Sequence, residues 1–226
     1  KEYAVQEFIS PFNEIKKIGC DVYGLWSPYY LEYFKKYSKI TPSVGFEYSG
    51  MLRPVKEFIT HQIFKRVSIE KIKVLLICEP LISALEIIPY LNCLLSHNDI
   101  EIAIKIRPMI KDSYYEELRS ELTEIKKLQI YDGKIEDVAE KFDVFLGSYS
   151  TAVIEASLFG KISILLNTEK FGDYFDIDTL IQGEQLLINS PESLYTQMTY
   201  RVNNEASLNT ISRTRSRFFG DNKDGA

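Results

Sequence analysis

Four short apolar runs, separated by helical patterns, constrain the fold of this chain more than any other feature. They are Ile72–Cys78, Ile100–Ile106, Phe142–Leu146 and Ile162–Leu166. Each is short enough to read as a strand; Ile72–Cys78 reads as fully buried, and Val144, Phe145 and Leu146 carry a buried-strand pattern as well. Between them, Ser83–Ser96 carries apolar residues at Leu85, Ile87, Ile88, Leu91, Leu94 and Leu95, which suits a helix despite Pro89. Ser113–Lys127 reads as an amphipathic, charge-rich helix, Gln129–Tyr131 as a short strand and Ile135–Lys141 as one or two helical turns. Gln185–Ile188 adds a strand, and Ser190–Asn204 a helix with Pro191 in its first turn. Strands alternating with helices predict an α/β fold, a doubly wound parallel sheet covered on both faces. Ligands of such sheets bind outside the carboxyl ends of the strands. Three segments fall there: Glu79-Pro80-Leu81, Arg107-Pro108 and Gly147–Thr151.

The most specific of these is Gly147-Ser148-Tyr149-Ser150-Thr151, where a strand turns into a nearly all-apolar helix that runs to Phe159 and stops at Gly160. The first amides of a helix lack intrahelical partners and the macrodipole is positive there, so three hydroxyls at such a turn suit an anion, above all phosphate. Ordinary capping accounts for one hydroxyl and less well for three. Glu155 stands within the apolar helix and needs a partner, water or an exposed strip; Lys161 is one candidate partner. Glu79 reads as a cleft carboxylate or as a loop acid beside Pro80. Asn167–Phe175 reads as a lid, or as a loop packing Phe171 and Phe175 into the core, with packing favoured. Arg213, Arg215 and Arg217 read as a solvated face.

Residues 1–60 differ in pattern. Cys20–Trp26 suggests a strand, Pro28–Tyr37 a helix and Ser43–Tyr48 another strand, which together read as the remnant of a second α/β domain plus a linker. Residues 61–226 form the main domain in this reading. The chain begins at Lys1 without methionine and ends at Gly225-Ala226, so a longer parent is expected. Its 226 residues give ample core, and a net charge of −5 argues against nucleic acid as a partner. Cys20, Cys78 and Cys93 lack metal-ligand spacing and read as free thiols of a reducing cytoplasm; His61 and His97 are isolated, and no metal site is expected.

Two motifs give the chain a family resemblance. Lys105-Ile106-Arg107-Pro108 stands where GT-B glycosyltransferases of bacterial surface polysaccharide synthesis often carry a histidine–proline pair on the donor phosphate. Ser148-Tyr149-Ser150-Thr151 resembles their serine-rich nucleotide motif. The sialyl- and polysialyltransferases and the CDP-glycerol polymerases are the nearest in kind. The resemblance covers about residues 71–226, with a weaker echo in 19–54. It implies a Rossmann-like donor-binding domain and transfer of a sugar from a CMP- or CDP-linked donor, ahead of a UDP-linked one, to a polysaccharide or glycolipid acceptor. It implies no obligatory metal or cofactor, and a place in the cytoplasm, with peripheral association at the inner face of the bacterial membrane through segments outside this chain. Arg107, Ser148, Ser150 and Thr151 would meet phosphate and Glu155 the ribose, while the catalytic base is expected from the N-terminal domain. Arg107 replaces the histidine, which keeps a charge but removes a proton donor near neutral pH. A non-hydrolysing UDP-sugar epimerase and a non-catalytic module of a larger synthase are the competing readings.

Overall fold

The computed structural model describes residues 21–37, 45–50, 71–79, 82–105, 112–122, 128–131, 134–180, 186–204 and 207–220. Six parallel strands form the main sheet: β3 (Ile72–Ile77), β4 (Ile100–Lys105), β5 (Gln129–Tyr131), β6 (Val144–Gly147), β7 (Ile162–Leu166) and β8 (Leu187–Ile188). β1 (Val22–Leu25) and β2 (Gly45–Tyr48) make a separate parallel pair. The main sheet runs in the order β5-β4-β3-β6-β7-β8. From β3 the chain therefore builds outward to β5, returns to the other side of β3 as β6, and builds outward again to β8.

Right-handed crossovers in two opposite directions place helices on opposite faces. α2 (Ala84–Leu95) and α3 (Asp112–Glu121) follow β3 and β4 and pack together; α6 (Pro191–Asn203) joins them. On the other face lie α4 (Thr151–Glu155), which tightens into a 3-10 turn over Ala156–Phe159, and α7 (Ser207–Phe219). The strands between these layers are buried as their apolar runs require: every residue of β6 and β7 is buried, and β3 exposes only Lys73. Pro89 does sit inside α2, whose start is capped by the Ser83 hydroxyl accepting from the Leu85 amide at 3.2 Å.

Three elements differ from the sequence reading. The segment after the serine turn is five residues of α-helix and four of 3-10 helix. A 13-residue helix, α7, spans the arginine-bearing stretch that the sequence pattern left without an element. The helix expected over Ser113–Lys127 covers Asp112–Glu121; residues 123–127 lie outside the described residues.

α1 (Pro28–Tyr37) packs on the second face through aromatic rings. Tyr29 meets Phe218 with ring centroids 4.5 Å apart, and Trp26 meets Phe219 at 5.8 Å. The Tyr29 hydroxyl donates to the Phe175 carbonyl at 2.6 Å and that of Tyr33 to the Tyr174 carbonyl at 2.9 Å. Lys36 pairs with Asp176, and Asp173 accepts from the amides of Ile177 and Asp178, capping α5 (Ile177–Leu180). Phe171 and Phe175 are core residues, so the loop after β7 is packed rather than lifted.

Two glycines close elements in the left-handed region, Gly160 at φ 66° and Gly220 at φ 71°. A Cβ on Gly160 would meet nothing within 4 Å, whereas one on Gly220 would lie 2.8 Å from the Trp26 carbonyl oxygen. Gly160→Ala is therefore expected to cost only left-handed strain, about 1 kcal/mol, and Gly220→Ala clearly more. Urea denaturation of both variants checks this; equal losses would show that the Trp26 contact gives way freely.

Candidate functional site

β3 and β6 are neighbours although β4 and β5 intervene in sequence. Their carboxyl ends flank the point where the sheet changes its direction of growth, the usual ligand crevice of such folds. β3 ends into Glu79 and β6 into the serine turn. Glu79 is 2% exposed, and its carboxylate accepts three successive backbone N–H groups from that turn. Ser148 N donates to Oε2 at 2.7 Å, Tyr149 N to Oε1 at 2.8 Å, and Ser150 N also to Oε1. Successive amides converging on one point form an anion nest. Here the anion is the protein's own carboxylate.

The hydroxyls of the turn are engaged as well. Ser148 Oγ lies 3.1 Å from Thr168 Oγ1, both buried, which ties β6 to the end of β7. Ser150 is the N-cap of α4, accepting from the Ala152 amide at 3.3 Å. Thr151, half-buried, donates toward Glu155 Oε1 at 3.5 Å. Gly147 is required by the close approach of α4: a Cβ there would lie 2.6 Å from a Val153 methyl.

Glu155 is 5% exposed, so it does not occupy a wet strip of its helix. Its carboxylate acts on Tyr30 of α1, whose hydroxyl is pushed well up, first by burial and then by Glu155. Lys161 is influenced instead by Asp143 and Glu140, with burial lowering its ammonium's pKa overall. Lys105 closes β4 and is 8% exposed; Arg107 and Pro108 lie outside the described residues. The structure thus brings Ser148, Ser150, Thr151 and Glu155 together around one turn. Glu79, which the sequence offered as a cleft carboxylate or a loop acid, is the partner of the turn's amides; that pairing and the one with the Thr168 hydroxyl carry no local signal, since 69 and 20 residues separate them from Ser148. Burial, aided by Glu79, also raises the Cys78 thiol, which keeps it protonated and unreactive. Among the described residues no cluster of three or more His, Cys, Asp or Glu could hold a metal ion, and no helix is long and apolar enough to cross a membrane.

The sequence matches no protein-family profile and no curated protein. Solved structures do match. HepE from Anabaena, in complex with UDP-glucose, superposes with a TM-score of 0.59 at 11% identity over 96% of this chain and 64% of HepE. TarM gives 0.54 at 13% over 96% of this chain and 42% of TarM. The wall teichoic acid polymerase TagF, soaked with CDPG, gives 0.51 at 11% over 96% of this chain and 56% of TagF. The chain has a GT-B glycosyltransferase fold. It spans between two fifths and two thirds of the length of these GT-B structures. The parallel sheet expected from strands alternating with helices is present, with six strands.

Removing the Glu79 carboxylate leaves three buried donors without their acceptor. Glu79→Ala is expected to lose about 3 kcal/mol or more, and Glu79→Gln, which retains one oxygen, less. Added formate should raise the melting temperature of Glu79→Ala more than that of the parent chain, because a small carboxylate can re-enter the nest. Differential scanning calorimetry with and without formate reads both effects; equal shifts would show that the nest does not select an anion.

Proposed function

We propose that this chain is the donor-binding part of a glycosyltransferase, taking a nucleotide-activated sugar in the crevice between β3 and β6. One observation carries the reading: the strand order reverses at β3 and β6, and a hydroxyl-bearing turn stands at that reversal in a GT-B fold. Residues 61–226 form the donor domain in this reading, and 1–60 the remnant of the partner domain with its linker. HepE with UDP-glucose and TagF with CDPG, as named in their structures, support a nucleoside-diphosphate donor class. The serine motif favours a CMP- or CDP-linked sugar; the acceptor is a bacterial surface polysaccharide or glycolipid met across the cleft to the partner domain, in the cytoplasm at the membrane face.

Glu79 changes how the phosphate would be held. The amides of 148–150 are spent on its carboxylate, so side chains must do the work: the Thr151 hydroxyl, Lys105 at the end of β4, and Arg107, two residues further along the sequence. These would also stabilise the negative charge that builds on the departing nucleotide. Ser148 and Ser150 serve this site by shaping the turn, and Glu155, next to Thr151, is assigned to the ribose. Glu79 also favours a second reading, a non-catalytic module, because a nest closed by an internal carboxylate is a structural joint without any ligand.

Isothermal titration with CMP, CDP and UDP separates the two. The donor reading expects saturable binding of at least one nucleotide, weakened about tenfold or more by Arg107→Ala, as the loss of a charge-assisted bond requires. Thr151→Val and Glu155→Gln should weaken it too. No binding of any of the three to folded protein would sink the donor reading and leave the module.

A further inference from the structure

At the opposite end of the sheet from the crevice, a cavity of about 240 Å³ opens beside the start of β7 and the residue preceding β8. α6 contributes Tyr200 and Arg201, the first turns of α7 contribute Ser207, Thr210 and Thr214, and Lys161 stands at its edge. Its described lining holds two cations, several hydroxyls and no carboxylate.

Arg201 is the decisive group. It is 7% exposed, which is rare for arginine without an acidic partner. Its Nη2 donates to Gln197 Oε1 at 3.2 Å, a neutral acceptor on its own helix, and Nη1 is buried with no hydrogen-bond partner. Burial pushes its guanidinium down to about 10. Across the same cavity the Thr214 hydroxyl, 1% exposed, is likewise buried and without a partner. Two orphaned polar groups on two helices around one cavity break the usual rule that buried polar groups are paired. A buried cation without compensation is more costly still. Both deficits have the same remedy, an oxygen-rich anion that accepts from a guanidinium fork and a hydroxyl.

We propose that this cavity binds a small phosphate monoester, with the phosphate held between Arg201 and Thr214, and Lys161 in support. The volume suits a phosphate with a compact organic part such as a sugar; it falls short of the roughly 300–1,000 Å³ of drug-sized sites. Exposed Tyr200 offers a flat face at the rim for that part. The site is separate from the proposed donor crevice, since it lies at the amino ends of the strands and the crevice at their carboxyl ends.

Calorimetric titration with inorganic phosphate and with glucose 6-phosphate, at about 0.15 M salt to screen surface contacts, tests the proposal. Expected is one saturable site in the parent chain, with affinity reduced about tenfold or more in Arg201→Met, consistent with loss of a charged hydrogen bond. Thr214→Val should also weaken binding, while Thr151→Val in the donor crevice should leave it unchanged. A purely structural Arg201 predicts that Arg201→Met lowers the urea midpoint of the ligand-free chain. A ligand-binding Arg201 predicts an equal or higher midpoint, because an uncompensated buried charge has been removed. No phosphate binding by the parent, or equal affinity in Arg201→Met and Thr214→Val, overturns the proposal.

Discussion

The Glu79 carboxylate on the three amides of 148–150 is the interaction on which the rest of the site depends. A doubly wound sheet has a weak seam where its two halves meet, because helices there diverge to opposite faces. The turn after β6 presents three successive amides at the end of β3, and each needs an acceptor. Glu79 satisfies them from the neighbouring strand and locks the two ends together. Ser148 extends the lock to Thr168 beyond β7, and Ser150 turns the chain into α4. Three strands are thus joined at their ends by polar contacts that are almost wholly buried.

That lock decides what the turn can offer a ligand. A nest of amides holds one anion, and an internal carboxylate has the advantage of being tethered. A phosphate approaching the same amides would have to displace Glu79 and leave its charge unpaired in a buried setting, which is strongly unfavourable. In the proposed donor site, selectivity for a nucleotide would therefore rest on side chains rather than on the amides of the turn. The loop after β7 contributes rigidity: Phe171 packs against Tyr149 at 4.6 Å and Tyr174 against Phe171 at 5.7 Å, fixing the outer side of the turn.

The strands were legible in the sequence because burial on both faces leaves an unmistakable record; Ile72–Cys78 and Ile162–Leu166 could form little else. The turn at 147–151 was legible as a place where anions are held, yet the identity of the anion was not. Serine, glycine and a helix start look the same whether the partner is a ligand phosphate or a glutamate 69 residues earlier. Glu155 was placed correctly on its helix, with an exposed strip or Lys161 as alternatives for its charge; it is instead buried and acts on Tyr30 of α1, which is remote in sequence. α7 escaped notice for a local reason. Its buried positions Thr214, Phe218 and Phe219 are partly polar, and Arg213, Arg215 and Arg217 at every second residue imitate the period of a strand.

The two ends of the sheet solve opposite electrostatic problems. At the carboxyl ends of the strands a buried negative charge is fully compensated within the chain, by backbone dipoles that the fold itself aligns. At the amino ends a buried positive charge, Arg201, has Gln197 as its one hydrogen-bond partner among the described residues. A well-packed methionine at this position would avoid the desolvation cost of the buried charge. α6 and α7 instead keep the cation and the orphaned Thr214 hydroxyl on the two walls of one cavity. Their juxtaposition makes sense as half of an interaction, in which the compensating charge arrives from outside the chain.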